Sequence, residues 1–170
     1  MDFNIFKLHT DTLGRMSACI KYSMYGITSK AMREQIPVEL NNIEIGDVVF
    51  ISEKNISKNA LFGPFYVTDD IPQSISIKGR KGIWMEIDPK RTSPKDLPYW
   101  VELENRKWCL LFDRTLSDKI SIVWPNNWSK LNVNLPSWGI VSGDDAAKLL
   151  DFAMNNEVEA KEFLKRHKVF

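Results

Sequence analysis

The sequence has few of the residues from which metal sites and covalent crosslinks are built. Its 170 residues include two histidines and two cysteines. His9 and His167 lie at opposite ends of the chain without HxxxH or HExxH spacing, and Cys19 and Cys109 form no CxxC pair. This distribution argues against a metal enzyme, a zinc site and a disulfide framework, and it suits a reducing compartment. We therefore expect no metal or other cofactor.

Motifs for nucleotide and acyl chemistry are also missing. The eight glycines form no GxxxxGK[ST], GxGxxG or GxSxG sequence. Cys109 lies within the apolar stretch KWCLLF, where a thiol is more often a packing residue than a nucleophile. The adjacent carboxylates at 69–70 and 144–145 are explained by a strand end and a helix cap. The sequence therefore predicts a protein that is not an enzyme.

The chain also lacks a long apolar run and an excess of one charge. No stretch approaches the roughly 20 apolar residues of a membrane span, and the N-terminus does not resemble a signal peptide. Lysine and arginine number 23 against 22 aspartates and glutamates, so any nucleic-acid binding would depend on local patches. A hydrophobic share of 44% suits one core. We expect a cytoplasmic protein without a membrane partner, in which residues 1–170 form a single domain.

Many short apolar stretches predict strands, and helical spacing appears near both ends. Strands are predicted at 3–8, in GDVVFIS and LFGPFYV, which should be neighbours buried on both faces, in hairpins around GRKG and ENR, and in KISIVW. Helices are predicted over Leu13, Met16, Ile20 and Met24 as far as Gly26, after Thr28 and Ser29, after Ser142, and after Asn156. This pattern predicts an α+β fold, a small curled mixed β-sheet or barrel with helices at both ends.

One predicted strand, LFGPFYV, contains a glycine and a proline in its middle. Gly63 contributes no side-chain packing, and Pro64 has no N–H to donate to a neighbouring strand. A buried strand keeps such a pair where it bulges or where another group approaches the backbone closely. We therefore expect a bend or bulge at this point.

Tryptophans and cations provide the sequence features that favour binding. In SISIKGRKGIWMEI, strand alternation places Trp84 on the face opposite the isoleucines, where it either packs under a loop or stacks on a ligand. Trp138 lies in the Pro/Gly segment NLPSWGIVSGDDA, where it either plugs the core or lines a pocket. Positive charge is concentrated beside Trp84 in Lys78, Arg80, Lys81, Lys90 and Arg91. A solvated turn explains these cations alone, but cations together with an aromatic face are typical of a nucleic-acid surface.

Taken in chain order, FKLHTD, SMYGITS, GDVVFIS, LFGPFYV, GIWMEI, YWVEL and VSGDDAAKLLDF resemble the YTH and EVE group of the PUA-like superfamily. The resemblance covers nearly the whole chain and implies a domain that holds a flipped methylated base in an aromatic cage. It implies Trp84 as one cage wall, with Tyr25 or Trp138 as the second. It also implies base-edge contacts from polar residues after the first strand and in the GITS segment: His9, Thr10, Asp11, Thr28 and Ser29. GITS corresponds to the family's GxWS-like segment but lacks its tryptophan.

Similar domains are the N-terminal targeting modules of McrB-type subunits in modification-dependent restriction systems. The resemblance therefore implies a partner machinery, a GTP-driven motor and a nuclease, that this chain does not contain. Duplex DNA is the favoured ligand, an RNA reader of the same fold is the alternative, and a protein-interaction or accessory domain is the alternative of another class. Salt dependence separates these, because phosphate binding weakens steeply with salt and an apolar protein interface does not.

The basic hairpin generates a first prediction. Replacing Arg80 and Lys81 together with alanine should weaken binding to all sequences alike and lower the log–log salt slope by about two, because two phosphate contacts are lost. The slope is measured by titrating one duplex at several salt concentrations. An unchanged slope would mean that the hairpin tip is only a solvated turn.

Overall fold

The computed structural model describes residues 3–10, 16, 19–21, 23–26, 42–53, 59–69, 109–113, 120–156 and 160–166. Within these residues the chain forms strands β1 (Ile5–Thr10), β2 (Met24–Gly26), β3 (Val48–Glu53), β4 (Ala60–Asp69), β5 (Cys109–Phe112), β6 (Ser121–Val123) and β7 (Gly139–Ile140), and helices α1 (Pro125–Lys130), α2 (Gly143–Asn155) and α3 (Ala160–Arg166). The fold is α+β, as predicted. None of these helices combines the length and apolarity that crossing a membrane requires.

The strands form one mixed sheet in the order β2-β5-β4-β3-β1-β7, with β6 also paired to β4. β1 and β3 run parallel, and the other pairs are antiparallel. Among the described strands, β2 and β7 occupy the two ends of this order, so these strands form an open sheet and do not close a barrel. The predicted hairpin around GRKG, the strand in YWVEL and the helix after Thr28 lie outside the described residues.

The parallel pair β1 and β3 is fixed at its beginning by one buried carboxylate. Asp47 is 6% exposed, and its two carboxylate oxygens accept the backbone N–H groups of Asn4 at 2.9 Å and Glu44 at 2.8 Å. The N–H of Val48 donates to the carbonyl of Asn4 at 3.0 Å. These bonds start a register that continues from Ile5 opposite Val48 to the ends of both strands.

β3 and β4 are antiparallel neighbours, and β3 is buried along its whole length, as predicted for GDVVFIS and LFGPFYV. Alternating side chains of β1, β3 and β4 enter two apolar clusters, because successive residues of a strand point to opposite faces. Cys19 is buried within the larger cluster. Burial raises the pKa of the Cys19 thiol to about 12.

β4 carries the predicted bulge. Its register with β3 passes from Val49 opposite Phe65 to Ile51 opposite Phe62, so Phe50 faces two residues, Gly63 and Pro64. On its other edge, β4 pairs with β6 as far as Gly63 and with β5 from Val67 onward. One long strand thereby joins three neighbours.

Gly63 is required by the close approach of an aromatic ring. A Cβ atom at this position would lie 2.7 Å from Cδ1 of Phe50, which is fully buried. The Gly63 carbonyl accepts the hydroxyl of Ser121 at 3.1 Å, which ties β6 to the bulge. The glycine that contributes no packing of its own thus makes room for the packing of Phe50.

The first predicted helix extends too far. Met16 and residues 19–21 are helical, but Met24 belongs to β2, opposite Leu111 of β5. Ser23 has a φ of 51°, which is in the left-handed region and ends the helical path. The first strand is also displaced, because β1 runs from Ile5 to Thr10 and the prediction was 3–8.

The helix predicted after Ser142 begins where its capping residue indicates. Ser142 is the N-cap of α2, and its hydroxyl donates to the Asp145 carboxylate at 3.1 Å, while Asn156 follows the last residue of α2. Phe163 and Leu164 lie in α3, and both pack with the larger cluster. The sequence did not predict α1, which starts at Pro125.

The bulge generates a second prediction. Gly63→Ala should lower the free energy of unfolding by about 1–3 kcal/mol, because the new methyl group overpacks against Phe50. When Phe50 is already leucine, adding Gly63→Ala should lower the free energy of unfolding by less than it does in the wild-type protein. The smaller leucine side chain leaves more room for the new methyl group. Urea denaturation of all the variants measures both effects.

Gly143→Ala is the matched control, since a Cβ atom there would meet nothing within 4 Å and the residue begins α2. It should leave stability unchanged or raise it by up to about 1 kcal/mol. If Gly63→Ala behaves like Gly143→Ala, close packing of Phe50 is not what requires a glycine in β4.

Candidate ligand site at the end of strand β1

The carboxyl ends of β1 and β3 bring polar residues together next to a tryptophan. In the parallel register, His9 lies beside Ser52 and Thr10 lies beside Glu53. Because side chains alternate, His9 projects on the face of Lys7, and Thr10 projects on the face of the core residues Phe6 and Leu8. The site therefore has polar groups on both faces of one strand end.

His9 is held in position by a side-chain hydrogen bond and an aromatic contact. Its Nδ1 lies 2.8 Å from the hydroxyl of Ser52, and this hydroxyl also contacts the carbonyl of Leu8 at 3.4 Å. The Trp138 ring meets the His9 ring in a T-shaped arrangement with centroids 6.0 Å apart. Both rings are half-buried, so each keeps part of its surface accessible.

Thr10 presents a buried hydroxyl that lacks a hydrogen-bond partner among the described residues. The side chain is 5% exposed, and its Oγ1 is the buried polar side-chain atom left unsatisfied in this part of the chain. Leaving such a group unpaired costs about 1–3 kcal/mol. A ligand atom that reached Thr10 Oγ1 would recover this cost, which makes the strand end a candidate binding position.

Tyr25 supports the same strand end from the core side. Its hydroxyl donates to the carbonyl of His9 at 2.8 Å, and the side chain is 4% exposed within the larger apolar cluster. Its ring faces are covered by protein. Of the two residues that the sequence offered as a second cage wall, Trp138 has the more accessible ring.

Trp138 is carried by a short loop that is bound to β1. It precedes β7, whose Gly139 lies opposite Lys7 with a φ of 113°, a conformation that favours glycine. The Lys7 Nζ donates to the carbonyl of Ser137 at 2.9 Å. Burial lowers the pKa of the Lys7 amine. The loop predicted around Trp138 thus continues into a two-residue strand.

Sequence reasoning missed Lys7 and Ser52. Each acts through a partner distant in the chain, since Lys7 binds a residue 130 positions away and Ser52 binds one 43 positions away. A lysine within a strand and a serine at a strand end carry no local signal of such contacts. Only the β1–β3 and β1–β7 pairings bring them to the site.

The other predicted site residues lie outside the described residues: Asp11, Thr28, Ser29, Trp84, Lys78, Arg80, Lys81, Lys90 and Arg91. Where side chains are described, no group of three or more histidines, cysteines and carboxylates is arranged to hold a metal ion.

Comparison with known proteins leaves the family open. No protein-family model matches the chain, and no curated protein matches it. The resemblance to YTH and EVE domains therefore stays a prediction from the sequence.

The unpaired hydroxyl generates a third prediction. Thr10→Val should leave the free energy of unfolding unchanged or raise it by about 1 kcal/mol, because a methyl group replaces a buried hydroxyl that has no described partner. Ser121→Ala is the matched control, since it removes a buried hydroxyl that is bonded to Gly63, and it should cost about 0.5–1.5 kcal/mol. Thermal and urea unfolding compare the two. A loss in Thr10→Val as large as in Ser121→Ala would show that the Thr10 hydroxyl is already satisfied.

Proposed function

We propose that this chain is a non-catalytic nucleic-acid-binding domain with a PUA-like, YTH- or EVE-like fold, and that it recognises a flipped modified base in duplex DNA. The observation that carries the proposal is the conjunction of a half-buried Trp138 and a polar strand end. Trp138 offers aromatic surface for stacking, the adjoining His9 offers a ring nitrogen that can bond a base edge, and Thr10 offers an unpaired hydroxyl on the opposite face of the same strand end.

The free-energy cost of flipping a base is similar in size to the free energy that binding can return. Flipping a base out of a duplex costs a few kcal/mol, and stacking on an aromatic side chain returns about 1–3 kcal/mol per base. Pairing of the Thr10 hydroxyl with the base edge would add to this return, since the hydroxyl has no described partner to give up. A methyl group removed from water contributes about 0.8 kcal/mol more, so a modified base gains over its unmodified counterpart.

The remaining parts of the proposal follow from the resemblance. Trp84 would form the other wall of the cage, and the cations of the GRKG hairpin would contact phosphate. The domain would be the targeting module of a cytoplasmic modification-dependent restriction system, with motor and nuclease activities supplied by partner machinery. Its own role would be to select the site.

A binding panel tests the proposal directly. Duplex and single-stranded DNA and RNA, each with and without N6-methyladenine or 5-methylcytosine, are titrated at fixed salt. One methylated duplex should bind several-fold to about tenfold more tightly than its unmethylated match. Trp138→Ala should reduce this ratio towards one. Trp128→Ala, which truncates a half-buried tryptophan of α1 in the other apolar cluster, should lower stability and keep the ratio.

The other outcomes point to different functions. Equal affinities for methylated and unmethylated strands would contradict the reader proposal. A preference for methylated single-stranded RNA would select the RNA reader instead. Binding of no nucleic acid would leave a protein-interaction domain, and cleavage or base release by the isolated chain would reveal a catalytic site.

A further inference from the structure

We propose that Lys7 is a positioning residue for base recognition, and that its bond to the Ser137 carbonyl holds Trp138 beside His9. This inference rests on the proposed function, in which Trp138 stacks on the base. It assigns Lys7 a role within the protein, in contrast to the phosphate contact that a lysine near a nucleic-acid site would ordinarily suggest.

The geometry places both anchors of the loop on one face of β1. Lys7 and His9 are two residues apart in the strand, so their side chains point to the same side. Lys7 binds the carbonyl of Ser137 at 2.9 Å, and His9 meets the ring of the next residue, Trp138, at a centroid distance of 6.0 Å. Adjacent residues of the loop are thus held by alternate residues of the strand.

Besides these contacts, the loop is held by the packing of Trp138 against the larger apolar cluster and by a short sheet pairing. β7 contains two residues, and its pairing with β1 begins at Gly139, just after the tryptophan. On the other side, the backbone N–H of Asn134 donates to the Asp145 carboxylate of α2 at 3.3 Å; both this bond and the Lys7–Ser137 bond are exposed, and the Lys7–Ser137 bond is the shorter at 2.9 Å. The Lys7–Ser137 bond therefore fixes the backbone immediately before Trp138.

The environment of Lys7 favours an internal role. The side chain is half-buried, and burial lowers the pKa of its amine because the charged form loses hydration. An ammonium group in such surroundings gains from a fixed acceptor, which the Ser137 carbonyl supplies. Replacing Lys7 by methionine keeps a side chain of similar length with an apolar stem and removes the amine that donates to the Ser137 carbonyl.

Binding measurements on Lys7→Met distinguish the two roles. If Lys7 positions Trp138, the preference for the methylated duplex should fall to near that of Trp138→Ala, while the salt slope stays unchanged. The Lys7→Met/Trp138→Ala double variant should have the same methyl preference as Trp138→Ala alone, since both changes act on the stacking of Trp138 on the base. If Lys7 contacts phosphate, the salt slope should fall by about one and the methyl preference should persist, which would overturn the inference.

A measurement on the free protein tests the same point without nucleic acid. The indole N–H resonance of Trp138 is identified by its absence from Trp138→Phe. It should shift in Lys7→Met, stay in place in Lys148→Met, which changes an exposed lysine of α2, and be largely restored in Lys7→Arg. An unmoved resonance in Lys7→Met would overturn the inference. This readout remains valid even if the wild-type protein shows no methyl preference, so failure of the proposed function and failure of the Lys7 role are distinguishable.

Discussion

The contact between the Phe50 ring and Gly63 is the constraint on which the rest of the sheet depends. β3 is buried on both faces, so Phe50 must place its ring where the neighbouring strand carries no side chain. The bulge at Gly63 and Pro64 meets this need and also divides the outer edge of β4 between β6 and β5. β3 then pairs in parallel with β1, so the position of the β1 end follows from the packing two strands away.

The end of β1 combines a buried hydroxyl, unsatisfied among the described residues, with accessible aromatic surface. A buried hydroxyl without a described partner at Thr10 reduces stability, and a half-buried tryptophan in a short loop leaves aromatic surface in contact with water. The surrounding contacts keep this arrangement in place, since Tyr25 binds the strand backbone and Ser52 binds His9. A position that is rigidly supported but incompletely satisfied is suited to receive a ligand.

The elements that local sequence determines were predictable. The apolar runs in GDVVFIS and LFGPFYV indicated buried neighbouring strands, the Gly-Pro pair indicated a bulge, and Ser142 marked the start of a helix. Predictions failed where contacts between distant segments determine the local structure: Met24 has helical spacing but pairs with β5. The helix that begins at Pro125 was also not predicted, because the sequence before it has the pattern of a strand. At the end of β1, His9, Thr10 and Trp138 were already candidates from the sequence, and their role in binding stays a prediction. The contacts of Lys7 and Ser52 could not be predicted, because they arise from strand pairing between distant segments.

The central claim is that a modified base is seated beside Trp138 at the end of β1. A duplex carrying a ¹³C-labelled methyl group on N6-methyladenine or 5-methylcytosine, whichever the binding panel selects, tests it by intermolecular nuclear Overhauser effects. We predict effects from the labelled methyl to the ring protons of Trp138, together with changed chemical shifts at His9 and Thr10. Effects to residues elsewhere, such as the exposed Met154 of α2, with no change at the end of β1 in the saturated complex, would contradict the account.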